Sequence, residues 1–211
     1  MTKKLPKIAI LLVAILWGSS FAFQKGLLVT INPTTFTFYN FLTTGVIFLL
    51  YSMYKKKNLF YRIKEGVILG FLVTGMELFQ MYGLHLSSAA NTSFISNLGM
   101  LFIPFLGYFV YRHTVTKIDS LALVGAGVGM YFLVGGIGKM YLGDIFLLMS
   151  AFFMAYYFLM SQRFEAESGG HLSVLCAQQF IVVGIVTGTA ILFNGFTFSI
   201  SNHVLPNFVL Q

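Results

Sequence analysis

Residues 8–24, IAILLVAILWGSSFAFQ, carry no charged side chain, and runs of similar length and apolarity recur down the chain. Seven can be marked, at about 8–29, 33–54, 65–86, 89–111, 118–136, 143–162 and 172–193. A bilayer core of about 30 Å is crossed by a helix of about 20 apolar residues, so each run has the length of one crossing. Charged residues make up 9% of the chain and hydrophobic ones 57%, with 24 phenylalanines. A soluble domain carries roughly 25% charged residues to cover its surface. The pattern excludes a soluble fold and predicts an all-α polytopic membrane protein of about seven transmembrane helices.

The formal charge of +7 does not indicate nucleic acid, because its distribution follows the apolar runs. Lys3, Lys4 and Lys7 precede the first run; Lys55, Lys56, Lys57, Arg62 and Lys64 separate the second and third. Arg112, Lys117 and Arg163 complete eleven of the thirteen basic residues at alternate junctions, against Lys139 alone in the others. Such asymmetry predicts a cytoplasmic N-terminus in a multi-pass cell-membrane protein, seven crossings placing the chain's end outside. Six further spans make the first run a retained helix rather than a signal peptide. The single cysteine, Cys176, sits in an apolar stretch and reads as packing; no thiol or histidine grouping predicts a metal or other cofactor.

An internal repeat adds to this organisation. AILWGSSF at 14–21 aligns with AFFMAYYF at 151–158, and a basic residue follows each, Lys25 and Arg163. The copies lie in the first and sixth runs, an odd shift of five spans, so the second is inverted relative to the first. Inverted repeats are common in secondary transporters, with the site near the membrane midplane where the repeats meet. The expected domains are a five-helix repeat over 8–136 and a partial, two-helix second repeat over 143–211. A complete second copy would extend the chain to roughly 275–290 residues and ten spans. On that reading the sequence is a truncated product.

The most informative polar residue is Glu77, in GMELFQMYGLHL at 75–86, a stretch with no other charge. At about 100° per residue its face also holds Gly66, Gly70, Val73, Met81 and Leu84, with Gln80 about 60° away. Ile68, Leu72, Phe79 and Leu86 point the other way, toward lipid. Glu77 is about 18 Å from the inner end of its span and Asn97 about 14 Å from the outer end of the next, which gives them similar depth. Trp17 lies at mid-depth in the first span, Lys25 near its outer boundary, and Asn40 in the second. These residues together are expected to line a polar cavity. A carboxylate at mid-span costs about 2.5–3.5 kcal/mol and normally faces a partner or a cavity. Three roles remain open for Glu77: binding a substrate amine, carrying a coupling proton, or pairing with Lys25 to join the first and third helices. Gly125 and Gly129 form a GxxxG, expected either to pack closely within the chain or to offer a homodimer face. His85 and His171 fall at span ends and read as interfacial. Paired acids, a histidine cluster or a Ser/His grouping at one depth would signal an enzyme, and none is visible.

Several stretches together resemble the EamA-type branch of the drug/metabolite transporter superfamily. They are AILWGSSFAFQK (14–25), ELFQMYGLHLSSAANTSFISNLGMLFIPFLGYFVYR (77–112), DSLALVGAGVGMYFLVGG (119–136) and GDIFLLMSAFFMAYYFLMSQR (143–163). The resemblance implies ten helices in two inverted five-helix repeats and transport of a small organic solute. Members often carry an arginine in the second span before a phenylalanine; this chain has Asn40 before Phe41, so an anion-binding role does not carry over. The expected function is export of small organic metabolites by alternating access. The alternative is a membrane fragment that inserts or associates without transporting.

Overall fold

The computed structural model describes residues 5–112, 116–134 and 141–194. Lys3, Lys4, Lys139, the close of the first expected repeat at 135–136 and the stretch 195–211 of the second lie outside the described residues. All seven expected runs are helical, in eight segments: α1 Leu5–Leu27, α2 Pro33–Tyr54, α3 Ile63–Leu86, α4 Ala89–Asn97, α5 Gly99–Tyr111, α6 Lys117–Val134, α7 Leu142–Ala166 and α8 Leu172–Asn194. Five stretches are long and apolar enough to cross a membrane: α2, α3, α7, the α4–α5 pair over Ala89–Val110, and α8 over Leu172–Phe193. With no strand among the described residues, the protein is a polytopic helical membrane protein.

Polar side chains cap the starts of α2, α4 and α7. Asn32 accepts a hydrogen bond from the Thr34 amide ahead of Pro33, which needs no amide partner at the first turn. The Ser87–Ser88 pair closes the turn between α3 and α4. Ser88 Oγ accepts from the Asn91 amide, while Ser87 Oγ donates to the fully buried Asp144 carboxylate at 2.9 Å. Asp144 also accepts from the Tyr141 amide and so caps α7. One buried acid thus ties the α3–α4 turn to the start of α7.

The fourth expected span is broken at Leu98. Pro104 has no amide hydrogen to offer the Met100 carbonyl, and its ring crowds the preceding turn. At Gly99 a Cβ would sit 2.7 Å from the Ala151 carbonyl oxygen, so only glycine admits the α7 backbone there. Between these two constraints the chain makes tight turns, with Leu98 N–H on Ile95 O and Leu101 N–H on Leu98 O.

Glycines also set the core order α2–α8–α3–α7–α5. On α3, Gly66 and Gly70 meet Gln178 and Val182 of α8, while Gly75 and Gly83 meet Phe153 and Leu147 of α7. Gly45 meets Ile181, and Gly188 meets Phe38, so α2 and α8 run antiparallel. The same pairings make α3 parallel to α8 and antiparallel to α7. The C-terminal ends of α1 and α3 meet, so α1 and α7 run in opposite directions, as do α2 and α8. Two sequence expectations change. Phe79 does not face lipid: its ring stacks on Phe153 of α7 at 5.7 Å and lies 6.0 Å from Phe146. Gly125 has open space around it and Gly129 only an ordinary contact with Phe94, so the GxxxG is not a close-packing site among the described residues. The expected homodimer face is untouched by this.

Basic residues gather where α2, α5 and α7 end and α3, α6 and α8 begin. There Arg62 bonds Glu65 at 2.9 Å and Glu167 at 2.7 Å, with Arg163 3.4 Å from Glu167. Tyr61 stacks on His171 at 4.2 Å, and Gln178 donates to the Leu59 and Tyr61 carbonyls. These contacts stitch the α2–α3 loop to the α7–α8 loop. We call this side the basic end.

Candidate functional site

Glu77 sits in the middle of the α3 stripe that faces the core. Along that stripe Val73, Met81 and Leu84 are 2%, 1% and 0% exposed, yet Glu77 is only half-buried. The stripe is less tightly covered at Glu77 than at the residues on either side of it. The half away from the basic end is closed because Met81 and Leu84 pack with Phe21 of α1 and Leu28 just after it, which explains why bulky residues share this face. Among the described residues Glu77 makes no hydrogen bond and no ion pair, and Tyr157 of α7 stands within electrostatic range. Gln80, one turn away, is buried.

The pairing of Glu77 with Lys25, one of the three roles left open for the carboxylate, does not occur among the described residues. Lys25 Nζ donates to the Leu84 and His85 carbonyls, both at 2.8 Å, and so caps the C-terminus of α3. Those carbonyls have no amide partner within the helix and carry the negative end of its dipole, which makes them a nearer seat for the ammonium than a side chain two turns deeper. His85 Nδ1 lies 3.0 Å from the Leu28 carbonyl, completing a clamp between α1 and α3. The interfacial placement expected for His85 becomes a specific contact.

The other expected site residues are not drawn into one pocket. Asn97 is exposed at the last residue of α4, beside the Leu98 break, with its amide donating to the Ser93 carbonyl at 2.6 Å. Asn40 is exposed and lines an open cleft of about 350 Å³ with Tyr39, Thr43 and Thr44. Trp17 is 46% exposed, on a stretch of α1 at 11–19 that nothing covers among the described residues. The sequence reading missed Tyr157 and Gln179, because each looks like one more residue of an apolar run. It also missed Asp144, whose signal was present: an acid at the third position of a helix that follows an aromatic cap. No grouping of three metal-ligating side chains occurs among the described residues.

Comparison with known proteins decides the family. The EamA-like transporter family matches residues 5–135. The chain belongs to the EamA-like transporter family. An uncharacterized transporter of Archaeoglobus fulgidus is 28% identical over 194 residues, which is 92% of this chain and 60% of that protein. A second, from Methanothermobacter thermautotrophicus, is 28% identical over 143 residues, 60% of this chain and 42% of its own length. The chain thus spans less than two thirds of the length of either relative. No solved structure matches. Family and apolar helices together make this a multi-pass membrane protein of a transporter family.

Proposed function

We propose that the protein is a secondary transporter that exports small organic metabolites across the cell membrane, with Glu77 as the group that receives the solute. The N-terminus is cytoplasmic, and the basic end faces the cytoplasm. The observation that carries the reading is the Glu77 carboxylate, mid-span on a buried helix face, partly open, and without a partner. An unpaired charge there is costly, so it is matched by a cation that arrives and leaves. A solute with a protonated amine supplies that cation. The opposite directions of α1 against α7 and of α2 against α8 support two inverted repeats over 8–136 and 143–211, with the site where they meet. The uncovered stretch of α1 around Trp17 favours a second statement: the 211-residue chain alone inserts but does not transport. Counterflow of an amine-bearing metabolite in liposomes tests both. A form with a complete second repeat is expected to exchange the amine, its Glu77→Gln variant to accumulate without exchanging it, and the 211-residue chain to show no exchange. Full exchange by the Glu77→Gln variant would remove the carboxylate from the site.

A further inference from the structure

Polar side chains of α7 and α8 lie between the level of Glu77 and the basic end, and transport of a solute alone gives them no role. Gln179 of α8 is 2% exposed, in contact with the Tyr157 hydroxyl and the Cys176 thiol, and its Oε1 has no hydrogen-bond donor among the described residues. A buried carboxamide oxygen without a donor is costly, and one ordered water satisfies it. The depths follow from the helix contacts. Gly75 faces Phe153 and Met76 accepts from Ser150, so Tyr157 lies roughly 10 Å nearer the basic end than Glu77. Gly66 faces Gln178 and Gly70 faces Val182, so Gln179 lies roughly 15 Å from the level of Glu77. Cys176 and Glu165 come about one turn further, where the helices end. Glu165 stands within electrostatic range of both Tyr157 and Cys176.

We propose that Tyr157, Gln179 and Cys176 line a narrow hydrated path that carries protons between Glu77 and the basic end of the bundle. The carboxyl proton of Glu77 passes to a water in the path, leaving the carboxylate, and emerges as hydronium beside Glu165. Tyr157 and Gln179 hold the intervening waters by hydrogen bonds and keep their own protons. The path is too long for one small solute, which separates it from the solute position. Among the described residues the titratable groups that interact along it are Tyr157 and Glu165 of α7 and Cys176 of α8; none from α1, α2 or α4 acts on Glu77, since Lys25 is held at the opposite end of α3. The inference rests on Glu77 being the working group, and it adds a proton as its second ligand.

The native chain supplies its own reporter, because Cys176 is its single thiol. A membrane-impermeant, sulfonate-bearing methanethiosulfonate is added to either side of sealed vesicles. Cys176 is expected to react only from the side where protease cuts the α2–α3 loop. Reaction with a membrane-permeant maleimide alone would overturn the path. Infrared spectroscopy then follows protonation of Glu77 after a pH jump, with Glu77→Gln identifying its band. Tyr157→Phe and Gln179→Leu are expected to slow protonation about tenfold, equivalent to about 1.4 kcal/mol, with unchanged final amplitude. Tyr157→Phe removes one oxygen and keeps the ring, so it carries the test if Gln179→Leu fails to accumulate. Titration with phenethylamine separates the two readings. A Glu77 band that ignores the amine but slows in the variants sinks the solute assignment and leaves the path; a band that responds to the amine with unchanged protonation rates overturns the path.

Discussion

Two charges on neighbouring helices, Lys25 of α1 and Glu77 of α3, are treated in opposite ways. Lys25, at the end of the bundle opposite the basic end, has two carbonyl acceptors at 2.8 Å each. Glu77, two turns deeper on α3, has no hydrogen bond or ion pair among the described residues. The difference teaches where structure ends and function begins in an apolar chain. A satisfied charge joins helices and can stay as it is; an unsatisfied one raises the energy of the resting protein until a ligand or proton arrives. Removing Glu77 should therefore cost function without costing stability, and removing Lys25 the reverse.

The largest expected effect is the loss of exchange in Glu77→Gln, with thermal stability equal to or above the wild type. The neutral amide gives back part of the insertion cost of about 2.5–3.5 kcal/mol. A variant that both fails to exchange and melts early would place Glu77 with Lys25 as a structural charge.

Next comes Lys25→Met, which strips the cap from α3. Hydrogen bonds to a charged group are worth about 1.5–3 kcal/mol each, and water at the outer boundary recovers part of that, so a loss of about 3 kcal/mol is expected. Lys25→Arg should retain most of the stability. Because the two charges do not touch, the double variant with Glu77→Gln should be additive within about 0.5 kcal/mol. A coupling well above that, read from denaturation in mixed micelles, would restore the ion pair that the geometry denies.

A third comparison is between glycines. Gly70→Ala places a methyl against Val182 and 3.0 Å from the Gln179 carbonyl oxygen, and should cost about 2 kcal/mol. Gly125→Ala meets nothing within 4 Å and should change stability by no more than about 0.5 kcal/mol. Equal losses in the two variants would mean that α6 packs more tightly than the described contacts indicate.

These glycines also mark the limit of what could be read before the fold was known. The helices were legible because apolar runs of crossing length, punctuated by lysines and by Asn32-Pro33 or Ser87-Ser88, leave few alternatives. The face of Glu77 was legible too, since helical periodicity alone puts Gly66, Gly70 and the carboxylate together. Partners were not. Gly75 and Gly83 lie off that face, and only the position of α7 gives them a role. GxxxG at 125–129 has the right spacing, but spacing does not say whether a neighbour is present. The seat of Lys25 was not legible because side-chain charges show in a sequence while the free carbonyls at a helix end do not. Gln179 and Tyr157 were invisible for the same reason: their meaning depends on the depth of α7 and α8 against α3.

The smallest effect belongs to a third charge, Glu167, in the loop at the basic end. It is as well partnered as Glu77 is alone, with Arg62 at 2.7 Å and Arg163 at 3.4 Å, but water reaches it. The Arg62 guanidinium holds its carboxyl below the usual glutamate value, and Glu167 in turn raises Arg62. A depressed carboxyl contributes stability that is fully present above the ordinary value of about 4.3 and is lost as pH falls through the lower, folded one. Arg62 stays charged throughout that window, so the acid limb belongs to the carboxylates. Exposed pairs are screened, and the contribution should shrink with salt. Hydrogen exchange in the loop 55–62 is expected to quicken as pH drops from neutral into the window below about 4.3, after correction for the intrinsic rate. Glu167→Gln should exchange at neutral pH nearly as the wild type does in acid, and added salt should bring the two proteins together. If the variant keeps the full acid response, the loops are joined by the Tyr61–His171 stack and the Gln178 hydrogen bonds rather than by charge.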